Sequence, residues 1–431
     1  MAAPEPRTSA DRTARAASLA VFAVFVLNGF NFSSWAARLP ATRDALDLGA
    51  GQMGVLLLIG ALGSLVALPL SGLVVTRLGA PRTVLAFALV NASGLAIASL
   101  GVALGQVVLT AVGLVVFGIG TGVWDASMNL EGAIVEQRLG RTVMPRYHAG
   151  FSFGTVIAAG IAAVAAWADV PVAVHVPVAV ALSSIGVAVA VRSFLPAGAD
   201  HGADHGADHS AAPVHDAPAA DLDPAVAQPR RGSSFGAWLE PRTLLIGLVV
   251  LAAALTEGSA NDWLSLAVVD DFGTDDSVGA LTFGLFVTAM TAMRFLGTNL
   301  LDRYGRVAVL RLCAGLALVG LLLFGLVPTG AMWLALIGVV AWGMGAALGF
   351  PVGMSAASDD PLRAAARVSV VSTIGYTAFL AGPPLLGLLA GAVGYRHALL
   401  SIAVPVVVGL LVVGAAAPVA RPTVDEAPAA R

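Results

Sequence analysis

Charge is scarce in this chain. Of its 431 residues only 11% are Asp, Glu, Lys or Arg and 58% are hydrophobic, whereas a soluble globular domain carries roughly 25% charged residues. That scarcity excludes a soluble fold. Lysine is absent altogether, all 23 basic residues being arginine, so no Gly-x-x-x-x-Gly-Lys loop exists to hold nucleotide phosphates. The chain is accordingly expected not to be an enzyme or an ATP-driven pump, and to need no cofactor. A net charge of −3 without a basic block argues against nucleic acid as a partner. The single cysteine, Cys313, leaves no internal disulfide to form. Aromatics at 6% argue against a large promiscuous drug pocket.

What the chain has in abundance is long apolar runs. They cover 17–37, 53–76, 83–103, 107–134, 148–168, 172–194, 242–266, 277–300, 308–327, 331–354, 368–392 and 397–415. Each is long enough to cross a bilayer as a helix, which takes about 20 residues. A membrane β-barrel would show alternating segments of about ten residues, and the run from Val55 to Leu73 does not alternate. The expected fold is therefore all-α and integral to the lipid bilayer, with twelve transmembrane helices in two six-helix halves. The first run follows arginines, as in a signal peptide, but Asn28 and Asn31 interrupt it and no convincing cleavage site follows, so it reads as a retained helix.

Arginine placement orients the helices, because positive residues are retained in cytoplasmic loops. With a cytoplasmic N-terminus, nineteen arginines fall in inner loops and tails and three, Arg38, Arg43 and Arg396, outside. Asp270, Asp271, Asp275 and Asp276 also fall outside, and Arg294 stays within a span. The expected location is the inner cell membrane, multi-pass, with both termini cytoplasmic. The expected organisation is a tail at 1–16, a six-helix bundle at 17–194, a disordered cytoplasmic linker at 195–240, a second bundle at 241–415 and a tail at 416–431. The linker carries three Gly-Ala-Asp-His units ending at His201, His205 and His209. Glycine at every fourth position opposes the helix that would align these histidines on a metal, so a solvated segment is expected.

The halves repeat. Shifting the first by 225 to 228 positions lays Asn-Phe-Ser-Ser-Trp35 over Ser-Ala-Asn-Asp-Trp263, Thr-Arg77-Leu-Gly79 over Asp302-Arg303-Tyr-Gly305, Gly118-Ile-Gly120 over Gly343-Met-Gly345, and Gly150-Phe151 over Gly375-Tyr376. Six plus six helices, a central linker and an arginine-glycine signature after the second and eighth spans resemble the major facilitator superfamily. That family carries Gly-x-x-x-Asp-Arg-x-Gly-x-x-basic after helix 2. Here Gly72, Arg77, Gly79 and Arg82 fit, with Thr76 in place of the acid; after helix 8 Asp302, Arg303, Gly305 and Arg306 fit, with Gly297 one residue too far away. The resemblance implies a clamp, in which these side chains pair across the halves in one access state. Plain positive-inside anchoring is the alternative.

Ionisable residues within spans are few, and each is a functional candidate because charge at membrane depth is costly. The fourth span reads Gly118-Ile-Gly-Thr-Gly122-Val-Trp-Asp125-Ala-Ser-Met-Asn129, placing Asp125 and Asn129 on one helical face. It is similar to helix 4 of the fucose/proton symporter branch of the superfamily, which implies that Asp125 couples protons; a structural hydrogen bond is the alternative. Glu257 is the second coupling candidate. Asn28, Asn31 and Trp35 on the first span, with Asn129, Asn261 and Asp262, are candidates for lining a substrate cavity, against interhelical hydrogen bonds and an interfacial aromatic. Counting the rise along each span sets Glu257 and Arg294 roughly 13 Å apart in depth, which argues against a direct pair. Arg294 is instead a gating candidate or snorkels to the inner interface. The glycines and Pro351 of the tenth span and Pro383-Pro384 of the eleventh are candidate hinges.

The function expected is alternating-access secondary transport, as proton-coupled symport of a small polar or sugar-like solute. Proton-driven efflux of drugs or metabolites is the alternative, and a non-transporting receptor or scaffold ranks below it. The partners expected are a small-molecule substrate and protons, and the chain is expected to be monomeric.

Overall fold

Within a bilayer an apolar segment must close its backbone hydrogen bonds internally, because lipid offers no partner for a free N–H or C=O. The computed structural model describes residues 9–140, 143–195, 236–360 and 363–418, in which every long element is an α-helix. Most of the expected linker, with His201, His205 and His209, lies outside the described residues. The first six passes are α1 (Ser9–Ala36), α3 (Ala50–Leu78), α4 (Ala80–Ala103), α5 (Val107–Leu139), α6 (Met144–Trp167) and α7 (Val172–Ala190), with a short α2 (Leu39–Ala45) after the first. The second six begin with α8 (Pro241–Phe272). Next comes α9 (Asp276–Leu326), which is two passes in one element: at Gly305 the backbone leaves helical geometry, with φ 76° and ψ 167°. The tenth pass is α10 (Met332–Ala346) plus α11 (Gly349–Ala357), the eleventh α12 (Ala364–Val393), and the twelfth α13 (Tyr395–Leu400) plus α14 (Ala403–Val412).

The sequence repeat reappears as backbone geometry. Gly79 joins α3 to α4 at φ 76°, ψ 155°, nearly the values at Gly305, 226 positions on. A left-handed φ of this kind is open to glycine at no steric cost, so both copies of the arginine-glycine signature turn the chain without a loop. The glycine ladder repeats too. A Cβ added at Gly118 would lie 2.2 Å from Gly60 O on α3, and one at Gly343 2.4 Å from Phe286 O on α9. Gly120 likewise abuts Asn91 on α4, while Gly345 abuts Ala317 on α9. Gly118→Ala is therefore expected to lower the thermal midpoint in detergent, since overpacking costs about 1–3 kcal/mol. Gly160→Ala, where an added Cβ meets nothing within 4 Å, is expected to leave it unchanged or raise it.

Two seams join the first six passes to the second. Along α3 and α12 the backbones nearly touch: a Cβ at Gly54 would sit 2.5 Å from Pro383 O, and one at Gly387 2.5 Å from Ala50 O. Along α6 and α9, Gly284 faces Ala159. The first seam is tightest near the end of the molecule where α3 begins and α12 ends, here called the distal face; α1 begins at the opposite, terminal face. Of the candidate hinges, Pro383 and Pro384 sit inside a continuous α12. The tenth pass is interrupted between Ala346 and Gly349, and Pro351 falls in the first turn of α11, where its missing N–H is harmless.

Candidate functional site

Breaking the tenth pass frees backbone carbonyls, and Arg294 takes one of them. From α9 its Nε donates to Ala347 O at 3.2 Å. Its Nη2 donates to both carboxylate oxygens of Glu257 on α8, at 3.1 and 3.0 Å. Its Nη1 reaches Ser152 Oγ on α6 at 3.5 Å, across the seam. A guanidinium, with five donors in a fixed fork, can hold a carboxylate, a carbonyl and a hydroxyl at once. This pair corrects the depth expectation. The seventh apolar run ends at 266, whereas α8 continues to Phe272. Counted from the distal ends, Glu257 is 15 residues from Phe272 and Arg294 18 from Asp276. At 1.5 Å per residue the depths differ by about 4.5 Å, within reach of an arginine side chain.

Asp125 and Asn129 lie one turn apart on α5. Asn129 Nδ2 donates to the Asp125 backbone carbonyl at 2.8 Å. The Asp125 carboxylate lies near enough to α12 to act electrostatically on Tyr376. Asn28 and Asn31 are placed differently from Trp35. Both amides are buried, 4% and 1% exposed, and Asn31 Nδ2 donates to Asn91 Oδ1 on α4 at 2.9 Å. Asn91 in turn donates to Thr121 Oγ1 on α5 at 2.9 Å. This amide chain ties α1 to α4 and α5 behind the cavity wall. Asn91 is polar within an apolar run, so the criterion applied to the other spans would have found it.

Trp35 faces a cavity of about 310 Å³ between the two sets of passes, together with Phe32, Phe117 and Thr121 from the first set and Asp262, Tyr376 and Phe379 from the second. Asp262 thus lines the cavity. Asn261, its half-buried neighbour, is not among the lining residues. Tyr376 carried no functional expectation: an aromatic gives no sign from spacing alone whether it meets lipid or a cavity.

Above this cavity the distal face is sealed by charge. Arg43 on α2 is hydrogen-bonded to Asp270 on α8 and reaches Tyr395 Oη on α13 at 3.4 Å. At the terminal face several ion pairs among the described residues lie within the second six passes. Arg242 and Arg306 share Asp359 at 3.0 and 2.6 Å, and Arg363 and Arg367 hold Glu240 at 3.0 and 2.6 Å. Of the signature residues, Gly72 has open space where a Cβ would stand, Arg77, Arg82 and Asp302 are exposed, and Arg303 stacks on Tyr304 at 5.3 Å. Arg306 is the signature arginine held in an ion pair, and its partner lies in its own half.

Glu240 precedes α8, outside the spans, and its hydrogen bond from Arg367, with others from Thr243 and Arg363, holds its carboxyl below the usual range. A depressed pKa in the fold stabilises it above the unfolded value, about 4.3, and that contribution is lost as pH falls through the folded value. Melting curves of the wild type and Glu240→Gln are expected to differ at pH 7 and to converge below about pH 4.

The chain matches the model of the Major Facilitator Superfamily over residues 21–361 and 246–431. An uncharacterized transporter, y4wD, of Sinorhizobium fredii (strain NBRC 101917 / NGR234) is 32% identical over 377 residues, 87% of this chain and 92% of its own. The solved structure of the nucleoside transporter NupG superposes with a TM-score of 0.70 at 14% identity, covering 92% of this chain and 98% of that one. That of the E. coli fucose:proton symporter FucP superposes with a TM-score of 0.59 at 15% identity, covering 93% and 98%. Twelve passes with a sequence repeat, ionisable groups where the two sets of six meet, and a family match spanning both sets converge: this chain is a membrane transporter of the Major Facilitator Superfamily.

Proposed function

We propose that the protein is a proton-coupled secondary transporter that carries a small organic solute by alternating access, with its terminal face and both termini in the cytoplasm of a bacterial cell, and that it works as a monomer in the inner membrane. The observation that carries this reading is the cluster at mid-depth between the two sets of passes. Asp125 of the first set acts electrostatically on Tyr376 of the second, while Arg294, paired with Glu257 in the second set, reaches Ser152 of the first. Carboxylates at this depth change their interactions when they take up a proton, and a cluster straddling the seam transmits that change to both sets at once. In this reading Arg43 and Asp270 form the closed outer gate, while Arg242, Arg306, Arg363 and Arg367 pair within their own half at the terminal face. Gly72, Arg77, Gly79, Arg82, Asp302, Arg303 and Gly305 then meet across the halves only when the inner side closes.

Symport of a small polar solute is one direction of transport, as in the fucose:proton symporter whose fold is similar. Exchange of an amphipathic solute against protons is favoured by one observation, the predominantly apolar and aromatic lining of the cavity. The test is flux in liposomes reconstituted with the purified chain and loaded at a different pH from the bath. Solute movement is expected to follow the imposed gradient and to move protons with it. Movement indifferent to the gradient would overturn proton coupling.

A further inference from the structure

The cavity beneath the distal seam specifies a chemistry more narrowly than the transport reading on which this inference rests. Four of its lining residues carry a hydroxyl or carboxyl: Ser64, Thr121, Asp262 and Tyr376. Two of these are engaged already. Ser64 Oγ donates to Gly118 O at 2.7 Å, and Thr121 Oγ1 donates to Phe117 O at 2.9 Å while accepting from Asn91. The Asp262 carboxylate and the Tyr376 hydroxyl have no hydrogen-bond or ion-pair partner among the described residues. A polyhydroxylated solute would leave most of its hydroxyls unpaired here, and each unpaired buried polar group costs roughly 1–3 kcal/mol.

The remaining wall suits a different ligand. Phe32, Trp35, Phe117 and Phe379 offer ring faces and edges, which gain from apolar burial and attract a cation through the ring quadrupole. A lone carboxylate in such a cage is matched by a single positive charge on an apolar body. The volume, about 310 Å³, lies at the lower end of the range for ligand cavities, about 300–1,000 Å³, and fits one or two rings. We propose that the cavity binds a small lipophilic organic cation, its nitrogen on Asp262 and its rings against the aromatic wall.

The experiment measures binding to the full chain in nanodiscs, with no pH gradient, by the fluorescence of two probes: 1-naphthylmethylammonium and the neutral 1-naphthylmethanol. The ammonium is expected to bind at least about tenfold more tightly, a difference of about 1.4 kcal/mol, and fucose is expected not to compete. Asp262→Asn is expected to abolish the preference for the ammonium while keeping the affinity for the alcohol. Phe379→Ala is expected to weaken both probes alike. Lowering the pH is expected to weaken ammonium binding in the wild type, because protons compete for the carboxylate, and to leave the alcohol unaffected. If Asp262→Asn does not fold, the wild-type preference and its pH dependence decide the matter. Equal affinity for the two probes, a preference surviving in Asp262→Asn, or displacement by fucose would each overturn the proposal. Because binding is read without a gradient, its outcome is separate from that of proton coupling: gradient-driven fucose uptake with no ammonium binding would refute this site and keep the transport reading.

Discussion

Asp125→Asn is expected to reduce gradient-driven accumulation of solute to the level of empty liposomes, while exchange of solute already bound on the two sides continues. An amide matches the carboxyl in shape but does not take up a proton at physiological pH, so coupling is lost and the movement between access states is kept. The fold should tolerate the change, because Asn129 donates to the backbone carbonyl of residue 125, and an amide oxygen can accept from Asn129 where the carboxylate did. Counterflow in the variant, compared with uptake under a pH gradient, checks both halves of the statement. Undiminished gradient-driven uptake would remove Asp125 from the coupling machinery.

The second large effect concerns Arg294. Arg294→Met is expected to destabilise the protein by about 3 kcal/mol, the lower end of the cost of breaking one partner out of a buried pair. The side chains of Arg294 and Glu257 are 28% and 22% exposed, so screening trims the penalty. The loss has two parts, an unpaired Glu257 carboxylate and an unmet Ala347 carbonyl at the break in the tenth pass. Glu257→Gln should cost less, because Arg294 keeps Ala347 and Ser152 as acceptors. Adding Glu257→Gln to Arg294→Met should recover part of the stability by removing the stranded charge. Thermal midpoints of the four proteins in one detergent, combined as a double-mutant cycle, measure the coupling. Additive losses would mean that the two side chains act independently.

The two predictions draw on information of different kinds. Asp125 was legible from the sequence, since a carboxyl four residues from an amide in an otherwise apolar run has one helical face to occupy. The Glu257–Arg294 pair is not legible in the sequence because Asp270 and Asp271 break the apolar run at the end of α8, yet the helix continues through them to Phe272. Helix length, and with it depth, is set there by packing against neighbouring passes and by the contact of Asp270 with Arg43. In the sequence Arg43 is legible only as an outer-loop charge. Its part in sealing the distal face depends on α2 and α8, 227 positions apart, meeting. Likewise Asn31 and Trp35, both candidates for lining one cavity, separate in space. The amide turns to Asn91 and the indole to the cavity, because a helix end packed on several sides offers each side chain a different neighbour.

By itself the sequence determined the membrane class, the twelve passes, the repeat and the short list of ionisable residues, because a bilayer penalises charge and unpaired backbone so heavily that composition alone leaves few alternatives. Only the tertiary structure decided which of those residues meet. Partners come from helices that are distant in the chain, and their contacts depend on depth, rotation and glycine-permitted approach, none of which is encoded in the periodicity of a single helix.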